Sequence, residues 1–532
     1  MSEDAADEVV RELLFVPLGG TGEIGMNLNL YCYDGVWVMV DCGMMINTVD
    51  GEDRIFAPDP AFLLDKDITA LVLTHAHEDH IGAITDLWMT FRCPIYATPF
   101  TAAVVRRKVA ESDLPERVPL KIVPPGARFD IGPFSFEMIP ITHSTVESQS
   151  LVLRTAAGAV LHTGDWKLDP KPLVGPATAE ARFKALAKER VLAVVGDSTN
   201  AQIPGRSGSE SLVRERLKDL IGRERNRVVC ACFSSNIARV ATFLEVAAAT
   251  GRHPVLVGRS LLRMVGAAQE TGYLPRALNE VPLRDAMYLP RHKVLMICTG
   301  SQGETRAALS RISFGQHRDV FLEPDDVIFF SSKVIPGNED GIERLQRRFQ
   351  HSGVRVVSER DDLIHVSGHP CIDELKQLYG WVRPECLIPV HGYPEHLIAH
   401  AQVGRDLGLR HVLEVRNGDV VHLNAETPRV VGEAPVGRVM RPPEAPYAGQ
   451  RGRDERGGRT DSGRGAPAAR PAAGGRGAPA APARGRAPSG DAFARRARLI
   501  EERGGAGEWG RGAGRGAGGG RAGGGRGGRG GR

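Results

Sequence analysis

The chain has 532 residues, 42% hydrophobic and 25% charged, enough to bury a sizeable core in two or three domains. Its net charge of +4 is unevenly spread: residues 451–532 hold 19 Arg, no Lys and 7 acidic residues, or +12, leaving −8 for residues 1–450. The opening MSEDAADEVV lacks the apolar run of a secretory leader, and no stretch approaches roughly 18 uninterrupted apolar residues, which argues against a membrane partner and for a soluble cytoplasmic protein.

Short β-type runs recur over the first 170 residues, at Leu13–Leu18, Leu28–Tyr33, Val36–Val40, Ala70–Leu73, Ile95–Ala97, Lys121–Val123, Phe134–Ile141, Leu151–Arg154 and Val160–His162. Gly, Pro and Asp separate them, which predicts a sheet-rich sandwich with flanking helices. From about Asn200 helix and strand alternate. Helices are predicted over Ser209–Ile221, Asn236–Ala249, Ser260–Thr271, Glu304–Ile312 and Glu339–His351. The strands between them are Val228–Ala231, Val255–Val257, Val294–Cys298, Val327–Phe330 and Val354–Val357, which predicts a mostly parallel α/β sheet. Helix Ile372–Trp381, strand Cys386–Val390, a helix near His396–Leu407 and two short strands around Val412–Val415 and Val420–His422 follow. Beyond about Arg441 the Gly, Arg, Ala and Pro composition cannot offset its ordering entropy, so a disordered tail is expected, with one short helix possible at Ala492–Arg503. The eight cysteines form no C-x-x-C pair and read as small core residues in a reducing compartment.

The strongest chemical signal is Thr74-His75-Ala76-His77-Glu78-Asp79-His80, directly after the apolar Leu71-Val72-Leu73. Ligands crowded at a strand's end, with alternate residues splayed two ways, can serve two metals. Imidazoles with a carboxylate suit zinc, with manganese as the alternative, better than calcium or magnesium. Further ligands are expected at other strand ends: His143 in Pro140-Ile-Thr-His143, Asp165 in Thr163-Gly-Asp165, and His391 in Pro389-Val-His391. Asp165 is the expected bridge between the two metals. The glycine run Gly19-Gly20-Thr21-Gly22-Glu23-Ile24-Gly25 resembles a phosphate cradle, but it opens no convincing βαβ helix and reads better as a turn beside the metals.

These motifs, with Asp41 after the strand Val36–Val40, resemble the ordered metal motifs of the metallo-β-lactamase superfamily, in which such an Asp supports the metal loop. Gly196-Asp197-Ser198-Thr199-Asn200, Phe233-Ser-Ser-Asn236, Thr299-Gly-Ser-Gln-Gly-Glu304, Ile335-Pro-Gly-Asn-Glu339 and His365-Val-Ser-Gly-His369 are similar to ribonuclease J, a β-CASP nuclease family. The likeness spans roughly residues 12–425. It implies an αββα sandwich of residues 1–200 and 370–440, split by a β-CASP insert at 201–369, with 441–532 as tail.

The likeness further implies a two-metal ribonuclease in RNA maturation and decay, acting as a 5′-to-3′ exonuclease and endonuclease on RNA with a 5′-monophosphate. In that reading His75, His77, Asp79, His80, His143, Asp165 and His391 bind the metals. Asp79, His369 and Asp197 are catalytic, His369 to donate a proton to the leaving oxygen or bind phosphate and Asp197 to orient a nearby histidine. Ser234, Ser235 and Asn236, with His365, Val366, Ser367, Gly368 and His369, form the nucleotide pocket. Two departures stand out. The family usually has an acidic residue just after its last metal histidine, whereas His391-Gly392 leads here into Tyr393-Pro394-Glu395. Gly/Arg sequence also stands where a small dimerising domain usually follows, which predicts a weaker homodimer and makes the tail either a non-specific RNA-gathering segment or a spacer. The rival readings are a catalytically idle RNA-binding protein and a small-molecule metallohydrolase.

Overall fold

In the computed structural model, residues 11–49, 52–114, 117–335 and 337–441 are described; the Gly/Arg tail and the helix expected at Ala492–Arg503 lie outside the described residues. Two large sheets face each other. One has eight strands in the order Arg429–Glu433, Asp419–His422, Leu13–Gly19, Leu28–Tyr33, Val36–Val40, Ile68–Val72, Ile95–Ala97 and Leu120–Ile122. The other has seven, in the order His411–Val412, Cys386–Val390, Val191–Asp197, Gly158–His162, Gln149–Thr155, Phe134–Pro140 and Arg128–Ile131.

The facing sides interlock because both present alternate apolar residues. Phe15, Tyr31, Val38 and Val72 from the first sheet form one core with Phe136, Leu151, Val160 and Val195 from the second. Tyr96 stacks on Phe129, which stacks on Phe136, at centroid separations of 5.0 and 5.5 Å, so a column of rings bridges the sandwich. Each such pair contributes about 0.5–1.5 kcal/mol beyond its area. Helices Ile84–Phe91 and Pro99–Ala110 cover the outer face of the first sheet, and Ile372–Val382 covers that of the second. The strands are therefore buried on both faces, which is why Leu28–Tyr33 is buried throughout.

Between Asp197 and Cys386 the chain leaves the sandwich and builds a separate five-stranded sheet. Its order is His253–Val257, Val294–Cys298, Val228–Ala231, Val327–Phe330 and Arg355–Val357, and every pairing is parallel. Ser209 and Asn236 cap the helices Glu210–Gly222 and Ile237–Ala249 with their side chains, at the expected boundaries.

Several elements differ from the expectation. The helix predicted at Glu304–Ile312 is shortened to Ala308–Ser313, because the Glu304 carboxylate turns back to accept from the Gln302 N–H and Thr305 is held by Asp53. Strand Val191–Asp197 was not predicted, although it sits in the middle of the second sheet; its apolar run has no strand-specific period. A small sheet of Met45–Val49, Glu52–Pro58 and Arg438–Met440 was also unforeseen. All eight cysteines are buried and unpaired, and among the described residues no helix is long and apolar enough to cross a membrane.

Glu137, on the outer face of the second sheet, accepts from Arg182 at 2.5 and 2.7 Å and from Arg154 at 2.6 Å. Burial alone would raise its pKa, but the two guanidiniums outweigh it and hold the carboxyl at about 2 against an ordinary 4.5. Because the folded pKa is depressed, this stabilisation is full above pH 4.5 and fades as pH falls toward 2. Glu137→Gln is expected to destabilise by about 1–2 kcal/mol at pH 7, a figure kept low because the arginines are partly solvated. Denaturant melts from pH 7 to 3 should show the wild-type advantage shrinking; a constant gap would disprove the assignment.

Candidate metal centre

Every predicted metal ligand follows a strand at the same end of the sandwich, on a loop for His75, His77, His143, Asp165 and His391 and in the short helix Glu78–Ile81 for Asp79 and His80. Residues 75–80 follow strand Ile68–Val72 of the first sheet, whereas His143, Asp165 and His391 follow strands Phe134–Pro140, Gly158–His162 and Cys386–Val390 of the second. The predicted ligands fill two four-donor sets. His75, His77, His143 and Asp165 form the first; Asp79, His80, His391 and Asp165 form the second, which a third group of Asp165, Asp197, His369 and His391 overlaps. Within the first, His77 Nδ1 lies 3.1 Å from both His75 Nε2 and His143 Nε2. Within the second, Asp165 Oδ2 lies 3.2 Å from His80 Nε2 and 3.3 Å from His391 Nε2.

The donors are aimed by the groups behind them. His80 Nδ1 donates to Asp41 Oδ2 at 2.7 Å, His143 Nδ1 to the Gly368 carbonyl at 2.6 Å, and His391 Nδ1 to Asn27 Oδ1 at 2.9 Å. Each acceptor fixes the proton on Nδ1 and turns the Nε2 lone pair toward the shared carboxylate. Asp41 also takes the Thr74 N–H and hydroxyl, both at 2.8 Å. Asp41 and His391 sit at φ of 62° and 52°, a conformation that costs a non-glycine residue of order 1–3 kcal/mol and is tolerated where surrounding bonds dictate it. The glycine run does lie beside the centre: Thr21 and Glu23 bridge to Gly392, and Gly20 O accepts from the His391 N–H.

The electrostatics divide the histidines. Burial pushes His75 and His143 well down and His77 to about 4, so these three are neutral lone-pair donors. Burial also opposes charge on His80 and His391, but Asp165 outweighs it, holding His80 well up and His391 at about 9. Asp165 is held well below the usual carboxylate range: burial acts against this, but His391 and His80 prevail. Asp165 Oδ2 and His391 Nε2 are both buried without a hydrogen-bond partner. An orphaned carboxylate oxygen and neutral imidazoles converging on it fit a pair of divalent cations.

His369 stands at the rim, 22% exposed, its Nδ1 donating to Asp197 Oδ2 at 2.8 Å and lying 3.9 Å from Asp165 Oδ2. Asp197 is held in turn by the Thr199 N–H. The remaining pocket residues fall less evenly. Ser367 accepts from Asn200 and from the His369 N–H, and Val366 is buried. Ser234 and Ser235 are half-buried, with no hydroxyl partner among the described residues. Asn236 departs from its expected role: its oxygen caps Arg239 N and its amide reaches Glu210, so it is committed to structure. His365 Nδ1 is buried and unpartnered, and burial, then the charges of Arg239, Lys167 and Lys333, push its pKa well down. Of these cations, Lys333 donates to Asn200 and Lys167 is 1% exposed. Asn27, Asn200, Lys167 and Lys333 were missed in the sequence. Only their closeness to Asp165, Asp197 and Ile335 could have marked the last three, and nothing marks Asn27.

Family models match three stretches: "Metallo-beta-lactamase superfamily" over residues 26–231, "Ribonuclease J, beta-CASP domain" over 225–348, and "Zn-dependent metallo-hydrolase RNA specificity domain" over 353–414. The chain is 43% identical over 438 residues to a Sinorhizobium meliloti protein named ribonuclease J, covering 81% of this chain and 78% of the relative. It is 39% identical over 434 residues to the Mycolicibacterium smegmatis ribonuclease J, covering 80% and 77%. A solved Enterococcus faecalis protein of unknown function shares the fold, with TM-score 0.55, 16% identity and coverage of 77% of this chain and 99% of that one.

A Cβ at Gly368 would stand 2.7 Å from His143 Cε1 and 2.9 Å from its Nδ1. The backbone there is in no glycine-only conformation, so displacement of His143 is the main penalty of Gly368→Ala. Metal affinity by chelator competition is expected to fall roughly tenfold. Unchanged affinity would mean that the ring yields without losing its aim.

Proposed function

The chain belongs to the ribonuclease J family, and on that premise we propose that its metal centre degrades RNA from a 5′-monophosphate end and also cuts internally. It is a metal-dependent ribonuclease. The observation that carries the reading is the shared Asp165 oxygen between two donor sets, with His369, held by Asp197, at its rim.

The proposed parts are the following. His75, His77 and His143 would hold one cation and Asp79, His80 and His391 the other, with Asp165 available to both. Zinc suits the imidazole-rich set best, with manganese as the alternative. Bound there, two divalent cations supply an activated water and neutralise charge growing on the phosphate oxygens. His369, held at Nδ1 by Asp197, keeps its second ring nitrogen to deliver a proton to the leaving oxygen. Ser234, Ser235 and the His365–His369 segment receive the terminal phosphate, with Lys333 and Lys167 neutralising it. Arg239 donates to Ile364 O, which ties the helix after Ser234 and Ser235 to that segment. Residues 1–200 and 370–440 then form the catalytic body and 201–369 the substrate-holding insert. The tail, rich in arginine, gathers RNA by charge. A cytoplasmic homodimer remains part of this reading.

Asp79→Ala and His80→Ala are expected to lower cleavage of end-labelled RNA by more than about 100-fold. Wild type should degrade 5′-monophosphorylated RNA faster than the triphosphorylated form; equal rates would remove the phosphate pocket from the mechanism, and full activity in either variant would remove the centre. Truncation after Arg441 is expected to weaken RNA binding and flatten its salt dependence while single-turnover cleavage persists. If the salt slope stays as it was, the tail has no such role.

A further inference from the structure

The first donor set takes His75 and His77 from one sheet and His143 from the other. Packed sheets stand about 10 Å apart, so the relative position of these two loops is not fixed by hydrogen bonds within either sheet. Each loop also carries a glutamate that the proposed chemistry does not use: Glu78, between His77 and Asp79, and Glu147, four residues after His143. Glu78 meets Arg263 in one helix of the insert, and Glu147 meets Tyr273, three residues past that helix's last residue.

Glu78 accepts from Lys108 at 2.7 Å and pairs with Arg263 at 3.6 Å. Its backbone carbonyl accepts from Met44 and Gly82, so the residue is held at both ends. Glu147 is 5% exposed and sits at φ 57°. Its carboxylate accepts from the Tyr273 hydroxyl at 2.8 Å and the Phe100 N–H at 2.7 Å. Arg263 lies in helix Arg259–Glu270, and Tyr273 just beyond its end. The same helix is pinned to Pro99–Ala110 of the sandwich. Glu270 pairs with Arg106 at 2.9 Å and Arg107 at 2.7 Å, and Arg107 donates to Gly266 O. Arg263 adds a 2.7 Å pair with Glu111.

We propose that helix Arg259–Glu270 and Tyr273 brace the metal centre: Arg263 and Tyr273 are positioning residues that grip one glutamate in each metal loop and set the distance between the loops. The inference rests on the metal-centre reading above. It gives the insert a second task besides holding substrate. The Tyr273–Glu147 contact matters most, because it is partly buried and Glu147 occupies a backbone conformation that needs an external hold. Arg263 is more solvated, and its pair is long, so its share is the smaller.

The test uses the full chain with Tyr273→Phe, Arg263→Gln and Arg263→Lys. Two quantities are read: hydrogen exchange of residues 75–82 and 142–149 in metal-free protein, and zinc affinity by chelator competition. Tyr273→Phe is expected to speed exchange in both segments and to weaken zinc about tenfold, with melting temperature nearly unchanged. Arg263→Gln should do the same more weakly, and Arg263→Lys should restore most of it. Loop exchange and zinc affinity both equal to wild type in Tyr273→Phe and Arg263→Gln would overturn the brace. Wild type that takes up no zinc or manganese defeats the metal-centre reading, whereas faster loop exchange in the variants still supports the brace.

Discussion

A single buried oxygen, Oδ2 of Asp165, is the point on which the centre depends. It belongs to both donor sets and has no hydrogen-bond partner. Burying an unpaired carboxylate oxygen is costly, and here it is surrounded by imidazole nitrogens at 3.2–3.9 Å. Such a cluster is self-consistent only around positive charge. His80 and His391, raised by that carboxylate, carry it as protons, and divalent cations would carry it more fully.

Holding such a cluster requires a frame that does not relax. Asp41, Asn27, Thr74 and the Gly368 carbonyl each fix one ring, and each belongs to a different segment. Gly43 shows how closely the frame is packed: a Cβ there would meet Asp79 O at 1.6 Å. The insert enters the same frame twice. The His365–His369 segment, which returns from it, supplies the Gly368 carbonyl and His369, while Arg263 of helix Arg259–Glu270 pairs with Glu78 and Tyr273 beyond it donates to Glu147. The insert and the metal centre are thus in contact through short chain segments.

The electrostatic layout has a related consequence. The body is acidic overall, and of the cations near His365 Arg239 is paired with Glu210 at 2.9 Å and Lys167 lies 3.7 Å from Asp169, while Lys333 donates to the neutral Asn200. The proposed phosphate pocket would draw on Lys333 beside the metal centre, and the proposed long-range attraction to RNA would fall to the arginine-rich tail.

Much of this was legible in the chain. Ligands at strand ends announce themselves because a metal site needs several donors on loops at one edge, and His75–His80 concentrates four of them in six residues. The start of helix Glu210–Gly222 was readable at Ser209 because capping is a local interaction. What the linear order could not reveal was pairing across distance: strand Val191–Asp197 between Gly158–His162 and Cys386–Val390, Arg438–Met440 beside Glu52–Pro58, Asn27 against His391, and Tyr273 against Glu147. The bond of Asn236, expected in the nucleotide pocket, to Glu210 was hidden for the same reason, since that partner arrives only with tertiary packing. Residue type and spacing determined which atoms could bind metal. Only the folded chain decided which neighbours aim them, because the energy that orients a side chain comes from contacts its sequence neighbours do not supply.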